Sequence, residues 1–162
     1  MTAESSAGSP AVSDADAVRA LLGRDSITHH GVAVRCPHGR PAVLQNDPVD
    51  SRGRPFPTRY WLACRALSRA VSRLEADGGV KELEQDSEMA GALADAHRRH
   101  AELHEGYRVA GSGDPEHVKC LHSHLAFALA EGGPIAEWIA DRTDLSWPTR
   151  CCVDDMIAGG DE

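Results

Sequence analysis

The pattern of apolar and polar positions divides the chain into a short strand-rich part and a longer helical part. Two runs rich in β-branched residues, 31–35 and 41–45, flank a turn containing proline and glycine, which predicts a small hairpin. Residues 46–58 are rich in Asp, Pro and Gly and predict a loop. Residues 60–63 then predict a third strand, so this part of the chain is interpreted as a β-ribbon.

Helical periodicity begins at Arg65. Leu67, Ala70, Val71 and Leu74 recur at i, i+3, i+4 and i+7, which is the pattern of one buried helix face. Four further helices are predicted: one from Ser13 or Asp14 to about Leu22, one over 80–107 with a break near 86–87, one over 114–132, and a weaker one over 135–141. The predicted fold class is α+β, with a small β-ribbon near the N-terminus followed by a mostly helical bundle.

The predicted domain organisation is a single domain between two tails. A chain of 162 residues is long enough for one hydrophobic core. Residues 1–12 are mostly Ser, Ala, Gly and Pro without periodicity and predict a disordered tail. The α+β domain is expected over 13–150, and 151–162 is expected to be a C-terminal tail.

Composition and charge exclude several classes of protein. Aromatic residues make up 4% of the chain, so the core must be built mainly from Ala, Leu and Val. Lys plus Arg is 17 and Asp plus Glu is 25, a net charge of −8, which opposes binding to nucleic acid or an anionic membrane. No apolar run has the length of a membrane span, and the first ten residues lack the features of a signal peptide. The expected location is the cytoplasm, where cysteines stay reduced.

The cysteines carry most of the chemistry that the sequence offers. Cys36 begins the run Cys-Pro-His-Gly, where backbone N–H groups can stabilise a thiolate and His38 can supply a second metal ligand. Cys64 lies where a predicted strand gives way to a helix, whose N-terminus favours a thiolate. The alternative for each is a small buried thiol that only fills the core.

Cys120 lies within the helix predicted over 114–132, so the helical period decides which histidines share its face. His117 and His124, at i−3 and i+4, lie on that face, whereas His122, two positions away, points elsewhere. The alternative is a buried thiol beside solvated histidines, and this is the favoured interpretation of His117.

Two further groups of residues are candidate metal ligands. The adjacent pair Cys151–Cys152 can supply one thiolate, taken as Cys152, to complete a four-ligand site, while the other is an exposed thiol of the tail. His97, His100 and His104 fall at i, i+3 and i+7 among charged residues, which is more typical of a solvated helix face than of a metal site.

The sequence contains no phosphate-binding loop, dinucleotide fingerprint, nucleophile elbow or His-Glu-x-x-His motif.

Five short motifs occur in order over roughly residues 30–130, with a weaker similarity at 147–153: Arg35-Cys-Pro-His-Gly39, Gly53-Arg-Pro-Phe-Pro-Thr58, Tyr60-Trp-Leu-Ala-Cys64, Ser72-Arg-Leu-Glu75 and Val118-Lys-Cys-Leu-His122. Together they resemble the domain-of-unknown-function family 501 of actinobacteria. Members often carry Cys-Pro-Cys-Gly where this chain has His38, and zinc or iron–sulfur ligand positions allow such an exchange. The resemblance implies no established activity.

The leading hypothesis is a cytoplasmic metal-binding domain. Cys36, Cys64, Cys120 and Cys152 would converge on zinc or an iron–sulfur cluster, with His38 as a substitute ligand, in a structural or redox-sensing role.

Two other classes of function stay open. One is an enzyme that uses Lys119, His122 or a thiolate of Cys36 or Cys64 in a cleft between ribbon and helices. The other is a metal-free adaptor whose acidic helices bind a protein partner.

Overall fold

The computed structural model describes residues 12–25 and 28–158. Its strands β1 (Thr28–Arg35), β2 (Pro41–Asp50) and β3 (Tyr60–Leu62) form an antiparallel sheet with β2 in the centre. The helices are α1 (Asp14–Leu22), α2 (Arg65–Ala76), α3 (Gly79–Gln85), α4 (Ala90–Leu103), α5 (Leu121–Glu131), α6 (Ile135–Ala140) and α7 (Cys152–Ala158), with a 3₁₀ turn at Val109–Gly111. The predicted α+β class, with a sheet early and helices after it, is confirmed.

Strand β2 runs five residues further than the sequence pattern predicted. The register pairs His30 with Asn46 and Thr28 with Asp50, so the first part of the expected loop belongs to the ladder. The backbone N–H of Asn46 also donates to the Arg59 carbonyl at 2.7 Å. The turn comes only after Asp50, whose carboxylate accepts the N–H groups of two residues just beyond it. Tertiary pairing therefore overrides a composition typical of loops.

Helix α5 is central to the packing. It contacts all three strands as well as α2, α4 and α6. Leu121, Leu125 and Phe127 on this helix are almost fully buried, and a helix enclosed on every side needs apolar residues around its circumference rather than on one stripe.

The start of α5 corrects the helix predicted over 114–132. A helix beginning at Asp114 would bond the Val118 N–H to the Asp114 carbonyl. Instead, the Val118 N–H donates to the Glu84 carboxylate at 2.8 Å, and the Asp114 carboxylate accepts the Glu116 N–H. The backbone therefore follows turns up to Cys120, and the helix begins at Leu121.

The expectation of a solvated histidine face on α4 is wrong. His97, His100 and His104 are each at most 2% exposed. Their rings bond to the backbone of neighbouring loops: His100 donates to the Tyr107 carbonyl at 2.6 Å and His104 to the Phe56 carbonyl at 2.8 Å. The histidines are buried because these loops supply the partners that water would otherwise provide.

The expected tails have different outcomes. Residues 1–11 lie outside the described residues. At the other end, the predicted boundary at 150 does not coincide with the end of the packed structure, because Cys151 and Val153 are buried and α7 packs against α1. Across the described part of the chain, no helix has both the length and the apolar character needed to cross a bilayer.

Candidate metal sites

Four of the five cysteines form two neighbouring pairs, Cys36 with Cys151 and Cys64 with Cys152, near the β1–β2 turn, the start of α2 and the segment before α7. No three of these four sulfurs lie within 4.8 Å of one another. Cys36 follows β1, and a tight turn holds it: its N–H bonds to the Arg40 carbonyl, and its carbonyl accepts the Gly39 N–H. The Cys36 Sγ lies 3.9 Å from the Cys151 Sγ, and both thiols are buried. The turn and the C-terminal segment are therefore joined through sulfur.

Cys64 and Cys152 form the second pair of this cluster. Cys64 is the N-cap residue of α2, in the predicted place, and its side chain makes no cap hydrogen bond. Burial raises the pKa of the Cys64 thiol, and the neighbouring Cys152 thiol adds to the rise. The effect of burial on the pKa of Cys64 is thus larger than the effect of the helix N-terminus, which was expected to favour a thiolate.

The four thiols influence one another electrostatically. Burial raises the pKa of Cys151 to about 11, with smaller contributions in the same direction from Cys36 and Cys152. Burial therefore favours the neutral form of the Cys64 and Cys151 thiols in the absence of a cation. A divalent metal would change this balance, because metal binding displaces thiol protons.

His38 lies at the edge of this cluster and is exposed. Its Nε2 is 2.9 Å from the Pro148 carbonyl oxygen. Both the imidazole and the Cys36–Cys151 contact therefore tie the same turn to the segment that leads into α7.

Cys120 occupies a different place, at the N-cap of α5. Its sulfur accepts the Ser123 N–H at 3.4 Å and lies 3.1 Å from the Ser123 Oγ. Glu75, from the last turn of α2, and His122 face it, and one ligand atom from each of the three residues lies within 4.8 Å of the others. The structure thus brings together one thiol, one imidazole and one carboxylate.

His122 has well-defined partners on both sides of its ring. Its Nδ1 is 3.1 Å from the Glu75 Oε1. Its Nε2 is 3.1 Å from the Ser72 Oγ and 3.2 Å from the Ser68 carbonyl oxygen. The sequence analysis placed His122 away from Cys120 because it assumed that both lie inside one helix. The helix begins between them, so that argument does not hold.

A cavity of about 300 Å³ opens beside this second cluster. Its wall is mainly apolar and comes from β3, α2 and the start of α5: Tyr60, Trp61, Leu62, Ser68, Cys120, His122 and Ser123. This is the cleft between sheet and helices in which an active site was expected. Lys119 is exposed, and its Nζ lies 3.4 Å from the Ala110 carbonyl oxygen.

No sequence pattern indicates that Glu75 belongs to this site. It ends the run Ser72-Arg-Leu-Glu75, and its carboxylate also accepts the Leu121 N–H at 2.6 Å. The expected set of metal ligands is thus divided: Cys36, Cys64 and Cys152 lie in one cluster together with Cys151, and Cys120 lies in another with Glu75 and His122.

Comparison with known proteins adds a family but no activity. A search of curated proteins and a search of solved structures each returned no significant match. Residues 32–109 match the family model described as "Protein of unknown function (DUF501)". The matched segment contains Cys36, Cys64 and Glu75, whereas the Val118–His122 motif lies beyond it. Over residues 32–109, the chain is therefore similar to the DUF501 family.

Proposed function

We propose that this protein is a zinc-binding domain in which Cys36, Cys64, Cys151 and Cys152 hold one structural zinc ion. The observation that carries the proposal is the approach of the Cys36 and Cys151 sulfurs to 3.9 Å, with the Cys64 and Cys152 thiols interacting beside them. Four cysteine thiolates are a common ligand set of structural zinc sites. The proposal revises the sequence-based ligand set by adding Cys151 and removing Cys120 and His38.

The distance between the Cys36 and Cys151 sulfurs favours zinc over an iron–sulfur cluster, and zinc binding would draw the Cys64 and Cys152 sulfurs closer to this pair. With Zn–S bonds of about 2.3 Å, two thiolates of a tetrahedral site lie roughly 3.8 Å apart, close to the 3.9 Å between Cys36 and Cys151. In a four-iron cluster each cysteine binds a different iron, which holds the cysteine sulfurs further apart.

The role of the zinc is to hold three parts of the fold together. Cys36 lies in the β1–β2 turn, Cys64 precedes α2, and Cys151 and Cys152 lead into α7. Each of these parts is short, and α7 has only seven residues, fewer than a helix needs to be stable alone. Metal binding would supply the free energy that keeps α7 in place.

The contacts of the acidic helices give less support to a metal-free adaptor. On α2 and α3, Glu75 binds the start of α5, Glu82 pairs with Arg142 at 2.6 Å, and Glu84 accepts the Val118 N–H. These carboxylates are thus engaged within the protein. We place the protein in the cytoplasm, where thiols stay reduced and can bind zinc, and its net charge of −8 favours partners other than nucleic acid.

The test is the metal content and the metal environment of the full chain, purified anaerobically without a histidine tag. The spectra are recorded on Cys120→Ser, whose remaining cysteines are the four proposed ligands. We expect zinc in this variant, with an X-ray absorption spectrum that shows four sulfur neighbours at about 2.3 Å. Adding Cys36→Ser to it should lose this four-sulfur signal.

Three results would contradict the proposal. Iron with acid-labile sulfide would show that the thiols hold a cluster. Disulfides between Cys36 and Cys151 or between Cys64 and Cys152, found by mass spectrometry of non-reduced protein, would show a redox pair. A four-sulfur signal that survives Cys36→Ser would show that other residues hold the metal.

A further inference from the structure

The cluster of Glu75, Cys120 and His122 is independent of the four-thiol cluster and has the composition of a metal site. All three residues are partly buried, and their ligand atoms lie within 4.8 Å of one another. Thiolate, imidazole and carboxylate are the ligand types that zinc and neighbouring transition metals accept together. The three come from the end of α2 and the start of α5, and helices position ligands more firmly than loops do.

The surroundings of His122 match those of a ligating histidine. Metal-bound histidines usually donate their second ring N–H to a carbonyl or carboxylate, which fixes the tautomer. The Nε2 of His122 lies 3.2 Å from the Ser68 carbonyl, which can only accept a hydrogen bond. With the proton on Nε2, the lone pair of Nδ1 faces the Glu75 Oε1 at 3.1 Å. The other tautomer carries the proton on Nδ1, donates it to Glu75 and accepts the Ser72 hydroxyl at Nε2, 3.1 Å away, so a metal bound at Nδ1 would take the place of that proton.

Cys120, at the N-terminal end of α5, completes the cluster with Glu75 and His122. The Ser123 N–H donates to its sulfur at 3.4 Å, and an N–H donor stabilises the thiolate that a metal requires. The Glu75 Oε1 is in turn held by the Leu121 N–H at 2.6 Å. Each of the three ligand residues therefore has a supporting hydrogen bond from α2 or α5.

The side of the cluster that faces β3 is open. Cys120 and His122 line the cavity of about 300 Å³, whose other walls include Tyr60, Trp61 and Leu62. Zinc sites with three protein ligands and an open fourth position are the arrangement in which the metal binds water or a substrate.

We propose that Glu75, Cys120 and His122 bind a divalent transition metal of the zinc class, and that its fourth coordination position opens into this cavity. That position would take water or a small anionic ligand whose apolar part rests on Trp61 and Leu62. The site does not depend on the four-thiol zinc, because it shares no residue with it.

The experiment is a cobalt(II) titration of metal-free full-length protein, followed by absorption spectroscopy and equilibrium dialysis. We expect two cobalt ions per chain in the wild type and one in Cys120→Ser. Serine preserves the N-cap of α5, so this variant should fold. Glu75→Gln and His122→Asn should weaken the same ion about tenfold or more, and Ser72→Ala, which removes a supporting contact, by roughly tenfold.

The matched control is the His117–Glu84 pair, in which the His117 Nδ1 lies 2.7 Å from the Glu84 Oε1. His117→Asn should leave both cobalt ions in place. If the four-thiol site holds no metal, the wild type would bind one ion and Cys120→Ser none, which still supports this proposal. Equal stoichiometry and affinity in the wild type, Cys120→Ser and His122→Asn would overturn it.

A second measurement tests the open position. Azide is a small monodentate anion, and adding it to the cobalt-loaded wild type should shift the visible cobalt bands, while cobalt-loaded Cys120→Ser should show no such shift. An unchanged wild-type spectrum at saturating azide would show that the fourth position is closed, and would overturn this part of the proposal.

Discussion

The rings of His97 and His124 meet edge to face in the core, with their centroids 5.2 Å apart. His97 uses both of its nitrogens, because Nε2 is 3.0 Å from the His117 carbonyl and Nδ1 accepts the Val109 N–H at 3.2 Å. Neither nitrogen of His124 has a hydrogen-bond partner within the described structure. Two neighbouring histidines with the same burial therefore contribute to stability in opposite directions.

His97→Leu should destabilise the protein by about 2–4 kcal/mol. Leucine fills a similar volume but leaves the His117 carbonyl and the Val109 N–H without their partner, and each lost partner costs roughly 1–3 kcal/mol. Urea unfolding measures the change. The exposed His117 offers the control, since His117→Ala should change the free energy of unfolding by only about 0.5 kcal/mol. Equal losses in both variants would contradict this role of His97.

His124→Leu should leave stability unchanged or raise it by about 1 kcal/mol. The substitution removes two buried polar atoms that lack partners, and burying such atoms costs free energy. The change in stability is measured by comparing the urea unfolding midpoints of the variant and the wild type. A loss above about 2 kcal/mol would show that the imidazole has a partner such as a buried water.

Stability should fall as the pH decreases below about 6.5. Burial lowers the pKa of His100 to about 4, although the hydrogen bond to Tyr107 opposes it, and burial also lowers the pKa of His124 to about 3. In the unfolded chain both titrate near 6.5. Between these values the unfolded state binds more protons, so acidification favours unfolding.

Protonation of these histidines therefore has little effect on stability above about pH 6.5, and stability is lost progressively down to about pH 4 through His100 and about pH 3 through His124. Each contributes at most about 1.4 kcal/mol per pH unit. Urea unfolding at several pH values measures the slope, and His124→Leu should make it shallower. An identical slope in the variant would show that His124 does not titrate in this way.

Removal of zinc should lower the melting temperature of the wild type. A ligand at about 100 times its dissociation constant stabilises the native state by roughly 2.7 kcal/mol. A chelator should therefore destabilise the wild type by at least this amount, and it should affect Cys36→Ser less. Calorimetry with and without chelator gives both values. Equal shifts in the two proteins would indicate that Cys36 holds no stabilising metal.

The sequence predicted elements whose stability is local. The spacing of Leu67, Val71 and Leu74 predicted α2 correctly, because all three lie on the buried face. A break near residue 86 was also predicted, and α3 ends at Gln85. The start of α5 was not, since it depends on Glu84 reaching the Val118 N–H from another helix.

The candidate sites show the same limit. The position of Cys64 at the start of α2 followed from the change of pattern, but the approach of Cys151 to Cys36 depends on how residues 115 positions apart pack. The buried histidines of α4 were assigned to solvent because charged residues surround them in sequence. Their hydrogen bonds to loop carbonyls come from contacts that no local pattern encodes.

The central place of α5 has a consequence for whatever binds at its first turn. Because this helix touches every strand and three other helices, Cys120 and His122 cannot shift without disturbing the layers around them. Their arrangement is thus preorganised: folding has already restricted the ligand side chains, and a bound ion would not have to order them again. A binding partner at this point should meet a rigid surface, with little change of shape between the free and the bound protein.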